Sequence, residues 1–238
     1  MKKQDTVFEL IQSDMTAKRF RRDYPVSEEL REIMVTEVFP DFKAYALDQY
    51  YDDENLDILQ EFIDDIKPQL EKQKNLLDNL FWWKLFYEAT EKSGRNCMED
   101  YIADHHFTLR NRPFFASWLR ECVRMVPKFY FIGTKVNERY FIAVDILNQQ
   151  TLEIIVPDLK LVPPKKGEIA VGTLMPLGGS LYFPISDFYR FNYEAREAIA
   201  SCFHHHYEKH SKNATQHEAF LHVLSVMLQI EKIIHDKK

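Results

Sequence analysis

Cys202, His206 and His210 follow one another at intervals of four residues. A helix through them would stack a thiol and two imidazoles on one face. Thiolate and imidazole are the donors Zn²⁺ prefers in a tetrahedral site. A fourth ligand would have to come from another element, and His105 and His106 are the candidates. Packing explains the same residues without metal. Ala195, Ile199, Cys202 and His206 continue one apolar stripe, on which Cys202 is an ordinary core residue. His210 suits a helix C-terminus, where an imidazolium meets the negative end of the helix dipole. No other cysteine and no acidic cluster lies beside them in the chain. The expectation is that Cys202, His206, His210, His105 and His106 hold no metal, and that the protein carries no cofactor.

Other chemistry has still less support. No HExxH, Walker loop, GxSxG or GxGxxG occurs, so the usual frameworks for a catalytic zinc, a bound phosphate or an activated serine are missing. Gly178-Gly179 suits a hairpin turn. Phe129, Phe131, Tyr140, Tyr182 and Phe183, with Lys128, Lys135, Arg139, Lys160, Lys165 and Lys166, could form a stacking platform for a single nucleic-acid strand. Strand alternation turns some of these rings inward, where they fill a core. The charge balance also disfavours nucleic acid. Residues 1–126 carry a net −7, residues 127–190 a net +1 and residues 191–238 a net 0. Between Asp48 and Asp65 there are eight acids and no base, a surface that repels phosphate.

The elements that would position these residues fall into three stretches. Residues 1–126 read as helices. Thr6-Val7-Phe8-Glu9 has capping-box spacing, ahead of Phe8, Ile11 and Met15 on one face. A helix follows Pro25-Val26-Ser27, and Pro40 should break or kink it. Leu56 to Leu70 and Leu77 to Leu85 repeat at helical spacing, Gly94 ends that run, and Pro113 opens a further helix. From Pro127 the chain turns to β-branched and aromatic residues. Phe129–Val136, Arg139–Leu147, Thr151–Val156, Glu168–Met175 and Ser180–Ile185 read as five short strands. Five strands in so short a stretch suggest a small closed barrel, which leaves no exposed edge. Val144, Ile146, Ile155, Val171 and Leu174 would include its buried positions. Residues 191–238 return to helix, with Asn192 as one cap and Thr215-Gln216-His217-Glu218 as a second capping box.

Length and composition fit this picture. A chain of 238 residues with 45 % hydrophobic residues can bury a sizeable core without disulfide or metal. No apolar run reaches the ~18 residues of a membrane span, and the charged start Met1-Lys2-Lys3-Gln4-Asp5 lacks the apolar stretch of a signal peptide. Three widely spaced cysteines fit a reducing cytoplasm.

Two resemblances follow from short motifs. Arg112-Pro113-Phe114-Phe115-Ala116-Ser117-Trp118-Leu119, Val144 to Glu153, Gly167-Glu168 and Gly172-Thr173-Leu174-Met175-Pro176-Leu177-Gly178-Gly179 resemble uncharacterised bacterial proteins in which a helical region feeds a small β-barrel. Some of those proteins end in a SEC-C zinc motif. That motif needs a close Cys/His cluster, which this chain lacks, so the resemblance implies a fold and no activity. Asp104-His105-His106 is similar to the short signature of a phosphoesterase family, whose paired metals need further acidic and histidine motifs that do not occur here.

The resulting expectation is an α+β protein: a helical domain over 1–126, an SH3- or OB-like five-stranded barrel over 127–190, and two helices over 191–238 packing back on the helical domain. Its expected function is a non-enzymatic cytoplasmic interaction protein with a protein partner. A metal-dependent enzyme using the histidines and a single-stranded nucleic-acid binder are the alternatives.

Overall fold

The computed structural model describes residues 12, 18–51, 53–89, 93–212 and 214–237. The capping box expected at Thr6 to Glu9 lies outside them.

Ser27 opens the first described helix, α1 (Glu28–Ile33), by accepting a hydrogen bond from the Leu30 N–H. A single π-helical turn, Met34–Val38, then leads into α2 (Phe39–Tyr50). The expected break at Pro40 does not occur. Proline sits in the first turn of α2, directly after the π turn, where its missing donor costs least. Next come α3 (Asp53–Ile66), α4 (Leu70–Tyr87), α5 (Cys97–Asp104), α6 (His106–Arg110) and α7 (Pro113–Cys122). Gly94, at φ +67°, serves the turn before α5 rather than the end of α4. There Asn96 and Glu99 form a reciprocal capping box.

Seven strands follow: β1 (Lys128–Lys135), β2 (Tyr140–Asp145), β3 (Thr151–Ile155), β4 (Ile169–Gly172), β5 (Leu174–Gly178), β6 (Leu181–Pro184) and β7 (Tyr189–Arg190). They form one sheet in the order β5-β6-β3-β2-β1-β4-β7. All pairs are antiparallel except β3 with β6. This corrects the expected five-stranded barrel: the sheet is open, mixed and seven-stranded. The single strand expected over Glu168–Met175 is divided at Thr173. Its first half pairs with β1 and its second half with β6, on opposite flanks of the sheet. Tyr189–Arg190 then adds a further strand to β4.

One residue joins β4 to β5, so the two flanks must lie side by side and the sheet must curl. Its inner face accordingly has a core of its own. Leu174 and Tyr182 from one flank share it with Ala170 from the other and with Phe141 and Ile154 from the middle. The outer face packs against helices. Phe129 of β1 meets Phe203 and Phe220 edge-on or tilted, and Phe183 meets Phe39. Trp118 Nε1 donates to the Pro176 carbonyl at 2.8 Å, covering the β5 edge. Burial on β2 falls on Phe141, Ala143 and Asp145, so Val144 is only half-buried, one position out of the expected register. Ile146 and Ile155 are partly buried against the larger core, and Val171 and Leu174 are buried.

After a 3₁₀ turn at Tyr193–Ala195, α8 (Arg196–Ser211) and α9 (Gln216–His235) complete the chain. Thr215 and Glu218 form the expected capping box. Asn192 precedes the 3₁₀ turn, but its side chain caps no helix. The larger core draws on α1 to α7, both terminal helices and the sheet's outer face. Among the described residues, no helix is long and apolar enough to cross a membrane.

Candidate functional site

The histidines singled out by spacing do not come together. Cys202, His206 and His210 lie along α8 as expected. Cys202 packs half-buried against the core. His206 buries its Nδ1 without a hydrogen-bond partner among the described residues, and burial, then His205 and Lys209, hold its pKa below the ordinary imidazole value. His210 sits in the last turn of α8 and stacks on His222 of α9, with ring centres 4.8 Å apart. His105 and His106 stand at the junction of α5 and α6. His105 Nδ1 lies 3.0 Å from the Tyr101 carbonyl, and His106 Nδ1 lies 3.2 Å from that of Ala103. Among the described residues, no three His, Cys, Asp or Glu side chains gather where they could hold a metal.

The most developed polar arrangement involves Glu231, which sequence reasoning missed. Leu224, Met227 and Leu228 form the buried face of α9, and helical spacing carries that face onto Glu231. Glu231 is therefore buried, at 4 % exposure. One carboxylate oxygen accepts from Lys72 Nζ of α4 at 2.6 Å and from the Asn192 N–H at 2.5 Å. The other accepts from the Tyr189 hydroxyl of β7 at 2.5 Å. Lys72 also donates to Asn192 Oδ1 at 2.8 Å. Burial, then the Glu231 charge, pushes the Tyr189 phenol far above its usual range. The network joins α4, β7 and α9 with its charge neutralised internally.

Beside this network opens a polar cleft of about 430 Å³, lined by Glu71, Lys72, Lys165, Glu168, Arg190 and Tyr193 among others. Three separate segments build it. Glu71 and Lys72 come from the first turn of α4. Lys165 and Glu168 come from the turn before β4, where the Lys165 N–H donates to Glu168 Oε2 at 2.7 Å. Gly167 takes φ +85° in that turn, and a Cβ there would come within 3.2 Å of the Tyr193 ring, so glycine suits both the backbone and the approach. The Arg196 guanidinium stacks 3.6 Å from the Tyr193 ring centre. Among the described residues, Glu71, Glu168, Lys165 and Arg190 form no ion pair, although they line one cleft.

A second cavity lies between β1, α8 and α9. Its volume is about 30 Å³ and its lining is mostly apolar, with Lys128, Asp145, Tyr207 and His217 at its edges. That is room for about one water molecule. Of the barrel aromatics considered above, Phe129, Tyr182 and Phe183 are buried, so those five rings form no continuous exposed row.

No family model, curated protein or solved structure matches this chain.

Proposed function

We propose that the protein is a non-enzymatic binding protein of the cytoplasm, and that its recognition site is the polar cleft beside Glu231. One observation carries the reading: two acids and two bases line that cleft without pairing with each other. Side chains of opposite charge in one concavity stay available for a ligand only where the surrounding fold holds them apart. The Glu231 network supplies such a floor, because both carboxylate oxygens of Glu231 and the Lys72 ammonium are engaged within it. A cleft of this volume falls in the ~300–1,000 Å³ range of small-ligand sites. Three free thiols support a reducing compartment, and burial pushes Cys97 up to about 12, so it stays a thiol. The metal-enzyme alternative needs at least three ligands in one place, and among the described residues no three His, Cys, Asp or Glu side chains gather where they could hold a metal. The strand-binding alternative needs an exposed aromatic row, and Phe129, Tyr182 and Phe183 are buried.

The test is a thermal-shift panel of amino acids, dicarboxylates and sugar phosphates on wild type, Arg190→Glu and Lys165→Glu. Probes that raise the melting temperature of wild type should lose that effect in both variants. Stabilisation indifferent to both substitutions, or chemical conversion of a probe, would overturn the reading.

A further inference from the structure

The ionic lining of the cleft points to one ligand class. We infer that the site takes a short zwitterion of the amino-acid or peptide type, carboxylate on Arg190 and ammonium on Glu71. The inference rests on the cleft being a binding site. A ligand bearing only negative charge would meet Arg190 and Lys165 favourably but would be repelled by Glu71 and Glu168. A ligand bearing only positive charge would meet the reverse. A zwitterion matches both pairs at once.

The individual groups divide these roles. Lys72 is already held by Glu231 at 2.6 Å, so it is not a free anchor. Arg190 forms no ion pair among the described residues, and its planar fork suits a carboxylate. Glu168 already accepts the Lys165 N–H, whereas Glu71 has no such bond among the described residues and is exposed.

The backbone adds a feature that favours a peptide over other zwitterions. Tyr189 and Phe191 face Val171 and Ile169 of β4, and the Phe191 N–H donates to the Ile169 carbonyl at 2.9 Å. Antiparallel pairing alternates, so the intervening Arg190, opposite Ala170, directs its N–H and C=O away from β4. Among the described residues β7 is the last strand on that flank, so those two groups join no sheet ladder there. An extended ligand main chain can pair with such groups, the way peptides add to sheets.

The experiment is NMR titration of the full chain with Gly-Gly-Gly, its N-acetyl form and its C-terminal amide. Wild type, Arg190→Ala and Glu71→Gln are compared, each first checked for an unchanged melting temperature. Gly-Gly-Gly should shift the amides of residues 71, 165, 190 and 193. Each cap and each substitution should weaken binding roughly tenfold or more, the effect of losing one charge-assisted contact. If the acetylated peptide binds as well as the parent and only Arg190→Ala matters, the site is a plain anion site. The zwitterion inference then falls and the cleft reading stands. If Gly-Gly-Gly shifts none of these amides while other probes of the thermal-shift panel depend on Arg190, the inference again falls alone. If no probe in either experiment depends on the cleft, both fall.

Discussion

Glu231 and Asp145 are both buried carboxylates, and each meets a lysine Nζ at 2.6 Å. They differ in how much chain they tie together. Glu231 reaches partners 39, 42 and 159 residues away. Asp145 works locally. It accepts from the Leu147 N–H at 3.0 Å, the Asn148 N–H at 3.2 Å and the Asn148 amide at 3.1 Å, and Lys128 lies only 17 residues back. Asp145 thus shapes the turn after β2, in the manner of an aspartate capping its own backbone. Glu231 holds separate elements in register beneath the cleft. Two carboxylates with the same nearest cation can therefore serve a hairpin or a whole tertiary arrangement, and only the other partners tell which.

Removal should separate them. Glu231→Ala leaves the Lys72 ammonium, the Tyr189 hydroxyl and the Asn192 N–H without their acceptor. Tyr189 is fully buried and Lys72 is 15 % exposed, so neither reaches water easily. Loss of one partner from a buried ion pair costs about 3–5 kcal/mol, and urea denaturation of Glu231→Ala should show a loss in that range. A cost below about 1 kcal/mol would mean that water replaces the carboxylate and that the network does not hold the cleft floor.

Asp145→Ala should cost less, about 2 kcal/mol. Lys128 is 26 % exposed and can turn to solvent, so the loss is mainly that of the turn's hydrogen bonds. The same denaturation assay checks it. A cost equal to that of Glu231→Ala would erase the contrast between local and long-range pinning.

The difference in reach also explains what the sequence could show. Features set by near neighbours were legible: the helical stripes of α4 and α9, the Thr215 capping box, and the strands β1 to β3 with their short turns. Features set by distant partners were not. Ile169 to Met175 reads as one apolar run, and nothing local to Thr173 says that its halves pair with β1 and β6. β7 has two residues, too few for alternation to register. Glu231 gave a readable sign, an acid on the apolar face of α9, but its partners Lys72, Tyr189 and Asn192 came from two distant stretches, α4 and residues 189–192. The cleft was hidden for the same reason, while the histidine spacing on α8 was clear and led to no assembled site.

Alkaline pH offers a smaller and more selective effect. Burial, followed by Glu231, raises the Tyr189 pKa in the folded protein above its unfolded value near 10. A raised phenol contributes stability that is fully present below pH ~10 and is lost as pH rises, because the unfolded chain then releases the proton first. Tyr45, Tyr50, Tyr101 and Tyr130 are raised by burial as well, so wild type should lose stability through several groups at once. Tyr189→Phe removes one of them. Between pH 10 and 11 its stability should fall less steeply than that of wild type, by up to about 1.4 kcal/mol per pH unit. Parallel slopes would mean that Tyr189 exchanges with solvent and that the floor of the cleft opens.

The smallest expected effect falls on the residue that matters most for recognition. Arg190 and Lys72 line the same cleft, but Lys72 has a buried carboxylate to neutralise and Arg190 has no ion pair among the described residues. Arg190→Ala keeps the backbone, and with it the pairing of β7 to β4. It gives up a partly buried aliphatic stem and a few tenths of a kcal/mol of strand preference. The net change in stability should stay within about 0.5 kcal/mol, whereas Lys72→Ala should approach the cost of Glu231→Ala, because it strands the same carboxylate. Paired denaturation curves for the two variants check this. If Arg190→Ala proved as damaging as Lys72→Ala, the guanidinium would be a structural tie like the ammonium beside it. It would then not be free to meet a ligand, and the contrast between a sealed floor and an open rim would collapse.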